Sequence, residues 1–263
     1  SLTLAQPIYA GGAIKAGYDK AKKESELSHY EQIRITNNII YDADVYYWNK
    51  VARQEMVTVA EELKESVSTL VKVVKDRVDE EYSDRNDLLM AEVKLNDAEY
   101  RLIQSRNDAE VARLSMNSFS GISFNEFIET DSVVMPLTDV QDYSETLNTA
   151  MATRPELQIA SHKIDIQKAA SKIANAQYLP KLSVGIDDSY SSPGYDFKSD
   201  LDPNYAVYAQ LSVPIFEWGK RRYTKKSGKY SVNIAVENHQ KVTDNIRLEI
   251  ETAFYNYSQA IDK

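Results

Sequence analysis

The chain has 263 residues, a formal net charge of −9 and no cysteine. Disulfides and cysteine-ligated metals are therefore excluded, and the acidic balance argues against a nucleic-acid binder. Only eight glycines and seven prolines interrupt the chain, which favours long helices, and eighteen tyrosines bunch near strand ends and helix starts.

Residues 2–9 alternate loosely as far as Pro7, so a strand is expected over Leu2–Tyr9 with its end near the proline. From Ala13 to Val78 there is no proline, and Gly17 is the one glycine. A helix of about 66 residues would run on the order of 100 Å, more than any compact domain of this size allows. Its far half carries a heptad seam of Met56, Ala60, Leu63, Val67, Leu70 and Val74. After a polar break at 79–86, a second seam runs through Leu88, Ala91, Leu95, Ala98, Leu102, Ser105, Ala109, Ala112 and Met116. Two facing seams joined by a short polar turn predict an antiparallel helical hairpin, and the alanines allow close approach. Gly121 ends the second helix.

Residues 122–142 are mixed, and Phe124, Phe127, Ile128 and Val133-Val134 suggest a short strand and loop. A short helix is expected over Tyr143–Ala152. A longer one starts at Arg154-Pro155-Glu156-Leu157, where proline suits the first turn, and stops at Leu179-Pro180. Two alternating stretches follow, Leu182–Tyr190 and Tyr205–Phe216, with a polar loop between them. Nine to eleven alternating residues is the length of a membrane-spanning β-strand. A soluble half-buried strand carries the same pattern, and periodicity alone favours that second reading. No stretch approaches the roughly 18 apolar residues of a membrane helix.

The chain also repeats itself. A gapless shift of 207 positions lays Leu4–Gly12 on Leu211–Gly219 and Thr36–Ile39 on Thr243–Ile246, with nine identities in the 53 aligned positions. Each copy reads as a strand, a proline and glycine breaker, then a long helix.

The repeated entries Gln6-Pro7-Ile8-Tyr9 and Val213-Pro214-Ile215-Phe216, the Arg154-Pro155-Glu156-Leu157 start and Tyr178-Leu179-Pro180 before a strand carry a resemblance. So does Asp87-Leu88-Leu89-Met90-Ala91, opening the helix that closes at Gly121. In this order and spacing the chain resembles the TolC-like outer-membrane efflux protein family along essentially its whole length. The resemblance implies a mainly α fold with a few β-strands, in which long antiparallel helical hairpins form an α-barrel tunnel joined to β-barrel strands, with an internal repeat. It implies a barrel strand over 1–9, a tunnel hairpin over 10–120 and an equatorial region over 121–152. A tunnel helix follows over 153–180, a barrel β-hairpin over 181–216 and the start of a second-repeat helix over 217–263. Because the chain opens inside a strand pattern and stops inside a helix pattern, it is read as a truncated fragment. A fourth strand and its helix would lie upstream, and the rest of the second hairpin downstream.

The implied activity is passive and not enzymatic. It is that of an outer-membrane exit duct in tripartite efflux or type I secretion, with a periplasmic extension, in a Gram-negative bacterium. The implied partners are two further copies making a homotrimer, a periplasmic adaptor (membrane fusion) protein, an inner-membrane transporter that drives export, and outer-membrane lipid. The alternative reading is a soluble coiled-coil scaffold or periplasmic adaptor-like interaction protein.

No constellation for catalysis or for a cofactor is found. His29, His162 and His239 lack metal-ligand spacing and read as exposed helix residues. The turn Asp79, Glu80, Glu81, Tyr82, Ser83, Asp84 and Arg85 is the expected tip, either a solvated connection or a gate and adaptor contact whose carboxylates ring the pore. Tips in the family often carry glycine where this chain has Glu81, which leaves the turn geometry open. Basic residues follow each strand: Lys15, Lys20, Lys22 and Lys23, then Lys220, Arg221, Arg222, Lys225, Lys226 and Lys229. With Tyr9, Tyr18, Phe216 and Trp218 they read either as a solvated helix face or as a membrane-interface girdle of aromatics whose cations, Arg221 and Arg222 among them, reach lipid phosphates. Asp196, Asp200 and Asp202 read as a solvated acidic loop in preference to a calcium site.

Overall fold

The computed structural model describes residues 2–130, 142–191 and 202–262. The elements are β1 (Leu2–Ala10), α1 (Ala13–Asp79), α2 (Arg85–Ser120), α3 (Tyr143–Thr153), α4 (Pro155–Ala176), β2 (Lys181–Ser191), β3 (Asp202–Ser212) and α5 (Lys220–Asp262). The fold is thus mainly helical with one small sheet. It divides into two units, residues 1–34 with 138–263, and residues 35–137. Helix α1 contributes to both.

In the first unit the strands form an antiparallel sheet in the order β1-β2-β3. The pairs Leu4↔Ile186 and Ile186↔Val207, and Leu182↔Leu211, put the apolar side chains of all three strands on one face. The other face carries Thr3, Ala5, Ser183, Asp187, Tyr208 and Gln210, and the Thr3 hydroxyl donates to the Asp187 carboxylate at 2.6 Å. Ala10 pairs with Lys181 and Lys181 with Ser212, so β1 and β3 end, and β2 begins, at one end of the sheet.

Two strand boundaries differ from expectation. Pro7 lies inside β1, which continues to Ala10 past an irregularity between Pro7 and Tyr9. Its missing N–H is tolerated beside such an irregularity and on an edge strand. In the other copy β3 begins earlier, at Asp202, and stops at Ser212, so Val213–Phe216 belong to the connection and Pro203-Asn204 to the strand. Cross-strand pairing with Tyr190 and Ser189 recruits Pro203 and Asn204.

Helix α4 packs against α5 through Leu157, Ile246 and Ile250, joined by Tyr143, Leu147, Ala150 and Met151 from α3. Pro155 occupies the first turn of α4, as its fixed φ and missing N–H allow. The Asp142 side chain caps α3 by accepting from the Ser144 N–H at 3.4 Å.

In the second unit α1 and α2 form the expected hairpin. Val57, Ala60 and Leu102 make its buried core with Ala109 packed against it, and Ala91, Ala98 and Ala112 are buried too. All nine residues of the α2 seam are buried or half-buried. The α1 seam is displaced by one position on alternate turns. Val57, Ala60, Lys64, Val67, Val71 and Val74 face inward, whereas Met56, Leu63 and Leu70 are exposed at 58%, 42% and 45%. Adjacent apolar pairs such as Met56-Val57 and Leu70-Val71 give α1 two apolar stripes, and a seam read along one of them misplaces half its members. Lys64 remains inside by reaching outward to Glu99 at 3.2 Å. Arg106–Glu61 at 2.7 Å and Arg53–Asp108 at 3.3 Å also bridge the helices. Exposed pairs of this kind add little stability and mainly fix register.

The segment 122–130 contains no strand, contrary to expectation, and Val133-Val134 lie outside the described residues. Its carbonyls are satisfied by helix side chains instead. Arg113 donates to the Phe124 and Glu126 carbonyls at 2.8 and 2.9 Å, and stacks over Phe127. Asn117, fully buried, donates to the Ser123 and Glu126 carbonyls. Lys50 donates to the Ile128 carbonyl at 2.8 Å and to the Thr130 hydroxyl at 2.9 Å.

The seam assignment is checked by chemical denaturation of the chain. Leu102→Ala is expected to lose about 2–5 kcal/mol through the cavity it leaves. Met56→Ala, at an exposed position, is expected to stay within about 0.5 kcal/mol.

Candidate functional site

Two places hold the residues singled out from the sequence, one in each unit. The first is the strand-to-helix turn, which occurs twice. Gly11 and Gly12 take φ of 62° and 84°, and Trp218 and Gly219, their equivalents under the 207-residue shift, take 47° and 77°. The two turns therefore share one left-handed backbone. In the first copy a side chain is barred, because a Cβ on Gly11 would lie 2.6 Å from the Ala176 carbonyl oxygen. In the second copy the position is open, and Trp218 is 89% exposed with its ring 5.0 Å from that of Phe216. A non-glycine residue held left-handed costs on the order of 1–2 kcal/mol.

Of the expected girdle, Tyr9, Phe216 and Trp218 lie at or beyond the sheet end where Lys181 stands. Tyr18 follows on the second turn of α1, and Arg221 and Arg222 open α5; all six side chains are exposed. Lys20 and Lys23 are paired to Glu24 and Glu26 at 2.9 and 2.7 Å. The hydrogen bond to Glu26 raises the Lys23 pKa, and the same bond lowers that of Glu26.

The histidines are not all exposed helix residues. His162 is largely covered, with Tyr30 stacked on its ring at 5.5 Å and Glu26 3.5 Å from its Nδ1. Helix α4 brings it against the fourth and fifth turns of α1, which sequence separation conceals. Among the described residues no group of His, Asp or Glu is arranged to hold a metal. Asp196 and Asp200, and the side chain of Asp202, lie outside the described residues.

The second place is the turn between α1 and α2. Asp79 is the last residue of α1 and Arg85 the first of α2. The Glu81 N–H bonds to the Val78 carbonyl at 3.1 Å and the Tyr82 N–H to the Arg77 carbonyl at 2.7 Å. This is the Schellman ending, whose residue after the cap is left-handed and usually glycine. Glu81 takes that conformation with φ 59°. Gly121 fills the same place after α2, with φ 69° and the Ile122 N–H on the Asn117 carbonyl. The turn thus has a glycine-type geometry built with glutamate. Asp84 then caps α2 by accepting from the Asn86 N–H. Asp79, Glu80, Glu81 and Asp84 are all exposed, as is Tyr82 at 82%, and none of these carboxylates forms an ion pair among the described residues.

Sequence reasoning missed three buried polar side chains in the second unit, Lys50, Arg113 and Asn117. Burial pushes the Lys50 pKa down, and the nearby Arg113 charge adds to that shift. Arg113 is held charged by the hydrogen bonds it donates to the Glu110 carboxylate, whose own pKa is lowered in return. Nothing in a helical heptad distinguishes such residues from solvated ones.

The comparisons with known proteins agree with this architecture. Residues 146–263 match the family described as outer membrane efflux protein. The pyoverdine export outer membrane protein OpmQ of Pseudomonas putida is 18% identical over 263 residues, all of this chain and 54% of its own length. The outer membrane protein VceC of Vibrio cholerae shares the fold with a TM-score of 0.80 at 18% identity, over 98% of this chain and 61% of that one. The CmeC outer membrane channel of Campylobacter jejuni gives 0.78 at 18% identity, over 98% and 57%. The chain therefore spans little more than half the length of these relatives, and the resemblance read from the sequence holds.

Replacing Glu81 by glycine is expected to raise the stability of the chain by about 1 kcal/mol, and Gly121→Glu to lower it by a similar amount. Thermal or urea unfolding of the two variants checks both signs.

Proposed function

We propose, from the outer membrane efflux family match over 146–263 and the shared fold, that this chain is part of a passive outer-membrane exit channel. The observation that carries the reading is the sheet. Leu2, Leu4, Ile186, Tyr205, Val207 and Leu211 share one exposed face, with Val207 at 75%, while the opposite face is polar. A soluble half-buried sheet covers its apolar face with a helix or second sheet. An apolar face left outward with a polar face opposite suits a barrel wall between lipid and an aqueous lumen. The helices are not membrane spans: among the described residues none is long and apolar enough to cross a bilayer.

In this reading three copies complete a barrel and a helical tunnel, in the outer membrane with a periplasmic extension. An inner-membrane pump drives export, and an adaptor contacts the turn at 79–85. The outward stripes support it: Met56, Leu63 and Leu70 on α1, and Val93, Tyr100 and Ile103 on α2, are apolar and exposed. Such stripes suit helices packed side by side into a larger barrel. The four carboxylates of the turn, none ion-paired among the described residues, would form, tripled in the assembly, an acidic ring that favours cations. Tyr9, Tyr18, Phe216 and Trp218 mark the interface where strands become helices.

The test is single-channel recording of the full-length protein in planar bilayers. A conducting, cation-preferring pore is expected, and Asp79→Ser/Glu80→Ser is expected to change conductance and weaken that preference. Unchanged conductance and selectivity in the variant would remove the gate role, and a protein that never conducts would remove the channel.

A further inference from the structure

Helices α4 and α5 enclose a groove of about 1240 Å³ just beyond the end of the sheet. Arg221, Arg222, Lys225, Lys226 and Lys229 line it from α5, with Lys172 facing them from α4. No carboxylate is among its lining residues, and Ser171, Asn175 and Asn233 add neutral hydrogen-bonding groups. Lys168, also at the groove, is already paired to Asp165 at 3.0 Å. The other six cations form no ion pair with any carboxylate among the described residues, and Lys226 instead lies over the Tyr230 ring at 5.8 Å. Gly228 keeps the walls close, since a Cβ there would collide with Ser171.

This arrangement is unfavourable without a ligand. Like charges three and four residues apart weaken a helix, and Arg221/Lys225, Arg222/Lys226 and Lys225/Lys229 are all so spaced. The positive end of the α5 dipole adds to the same field. The internal repeat shows that the charge is not required by the fold. In the first copy, residues 13–27 hold four lysines against Asp19, Glu24 and Glu26, and two of those lysines are ion-paired. The 207-residue shift puts Lys226, Ser231 and Asn233 where those carboxylates stand, so residues 220–234 hold six cations and no acid. One copy neutralises its cations internally, and the other leaves them for something else.

We propose that the α4–α5 groove binds the phosphate headgroup of a negatively charged phospholipid. This rests on the channel reading, which sets the sheet end at the membrane surface. The groove joins, through Gly219, the turn that exposes Ile215 at 94%, Phe216 and Trp218. Apolar side chains for acyl chains therefore adjoin cations for the phosphate, the two halves of an amphipathic ligand. A free anion would use only the second half.

The full-length protein, purified as its assembly in detergent, is titrated with phosphatidylglycerol, phosphatidylcholine and inorganic phosphate, and bound lipid is read by native mass spectrometry. Phosphatidylglycerol is expected to be retained at least about ten-fold better than phosphatidylcholine. Arg222→Gln/Lys225→Gln/Lys229→Gln is expected to weaken that retention by roughly 100-fold, whereas Lys15→Gln/Lys20→Gln/Lys23→Gln in the first copy leaves it unchanged. Lys225→Arg/Lys229→Arg keeps the charge and is expected to keep the preference. Equal retention of the two lipids by the unmutated protein overturns the proposal, however the variants fold. So does inorganic phosphate binding in place of lipid, which would identify a simple anion site. Bilayer conductance separates the two readings: a protein that conducts but shows no lipid preference loses the groove and keeps the channel.

Discussion

The antiparallel register of three strands is the constraint from which the first unit follows. Because Ala10, Lys181 and Ser212 stand side by side, α1 and α5 must leave the sheet where α4 enters it. Three helices are thereby delivered to one place, with α4 in contact with both others. Glu26 and Tyr30 of α1 meet His162 of α4, and Thr224 of α5 meets the Tyr178 hydroxyl just past its end at 2.9 Å. The left-handed turn at Gly11-Gly12 takes β1 into α1 within two residues, whereas β3 reaches α5 through the longer connection 213–219, which ends in the left-handed Trp218-Gly219. The cationic groove exists because of this delivery: its two walls are 40 or more residues apart in sequence and adjacent only because the strands pair.

The duplicated turn shows how a repeat diverges under different packing. Both copies keep the backbone, but only the first has a helix end pressed against it. Gly11 is fixed by the Ala176 carbonyl, while the open second copy accepts a tryptophan at a conformational cost. The same divergence operates on charge. Lys20 and Lys23 are ion-paired on their own helix, whereas among the described residues the cations of 220–229 form no ion pair. A repeat that preserves geometry while releasing side chains lets one fold element take two roles.

In the second unit the polar fastening of 122–130 replaces the strand that apolar residues suggested. Lys50, Arg113 and Asn117 together satisfy the carbonyls of Ser123, Phe124, Glu126 and Ile128. Backbone groups of an irregular segment against a helical hairpin need such donors, because no neighbouring strand supplies them. The hairpin also carries more apolar surface than its own seam uses, so its helices are suited to further helical neighbours.

The sequence by itself determined the helix lengths, the position and polarity of both hairpin ends, the alternation of the strands and the long-period repeat. These are local: they follow from where proline and glycine are absent, from heptad spacing on α2 and from a two-residue period. It did not determine which of two apolar stripes on α1 faces α2, since adjacent pairs such as Met56-Val57 satisfy either choice until a partner is present. Nor did it place Pro214 outside a strand while Pro7, in the same motif, lies inside one, because strand ends are set by the pairing partner. Glu81 stands where glycine was the expected type, but its left-handed backbone is imposed by the hydrogen bonds from Glu81 and Tyr82 back to Val78 and Arg77. The groove was half legible: the cations after Gly219 stand out in one dimension, but Lys172 joins them only when α4 and α5 are brought together. Local periodicity is written in the chain, whereas the choice among equivalent faces is made by what packs against them.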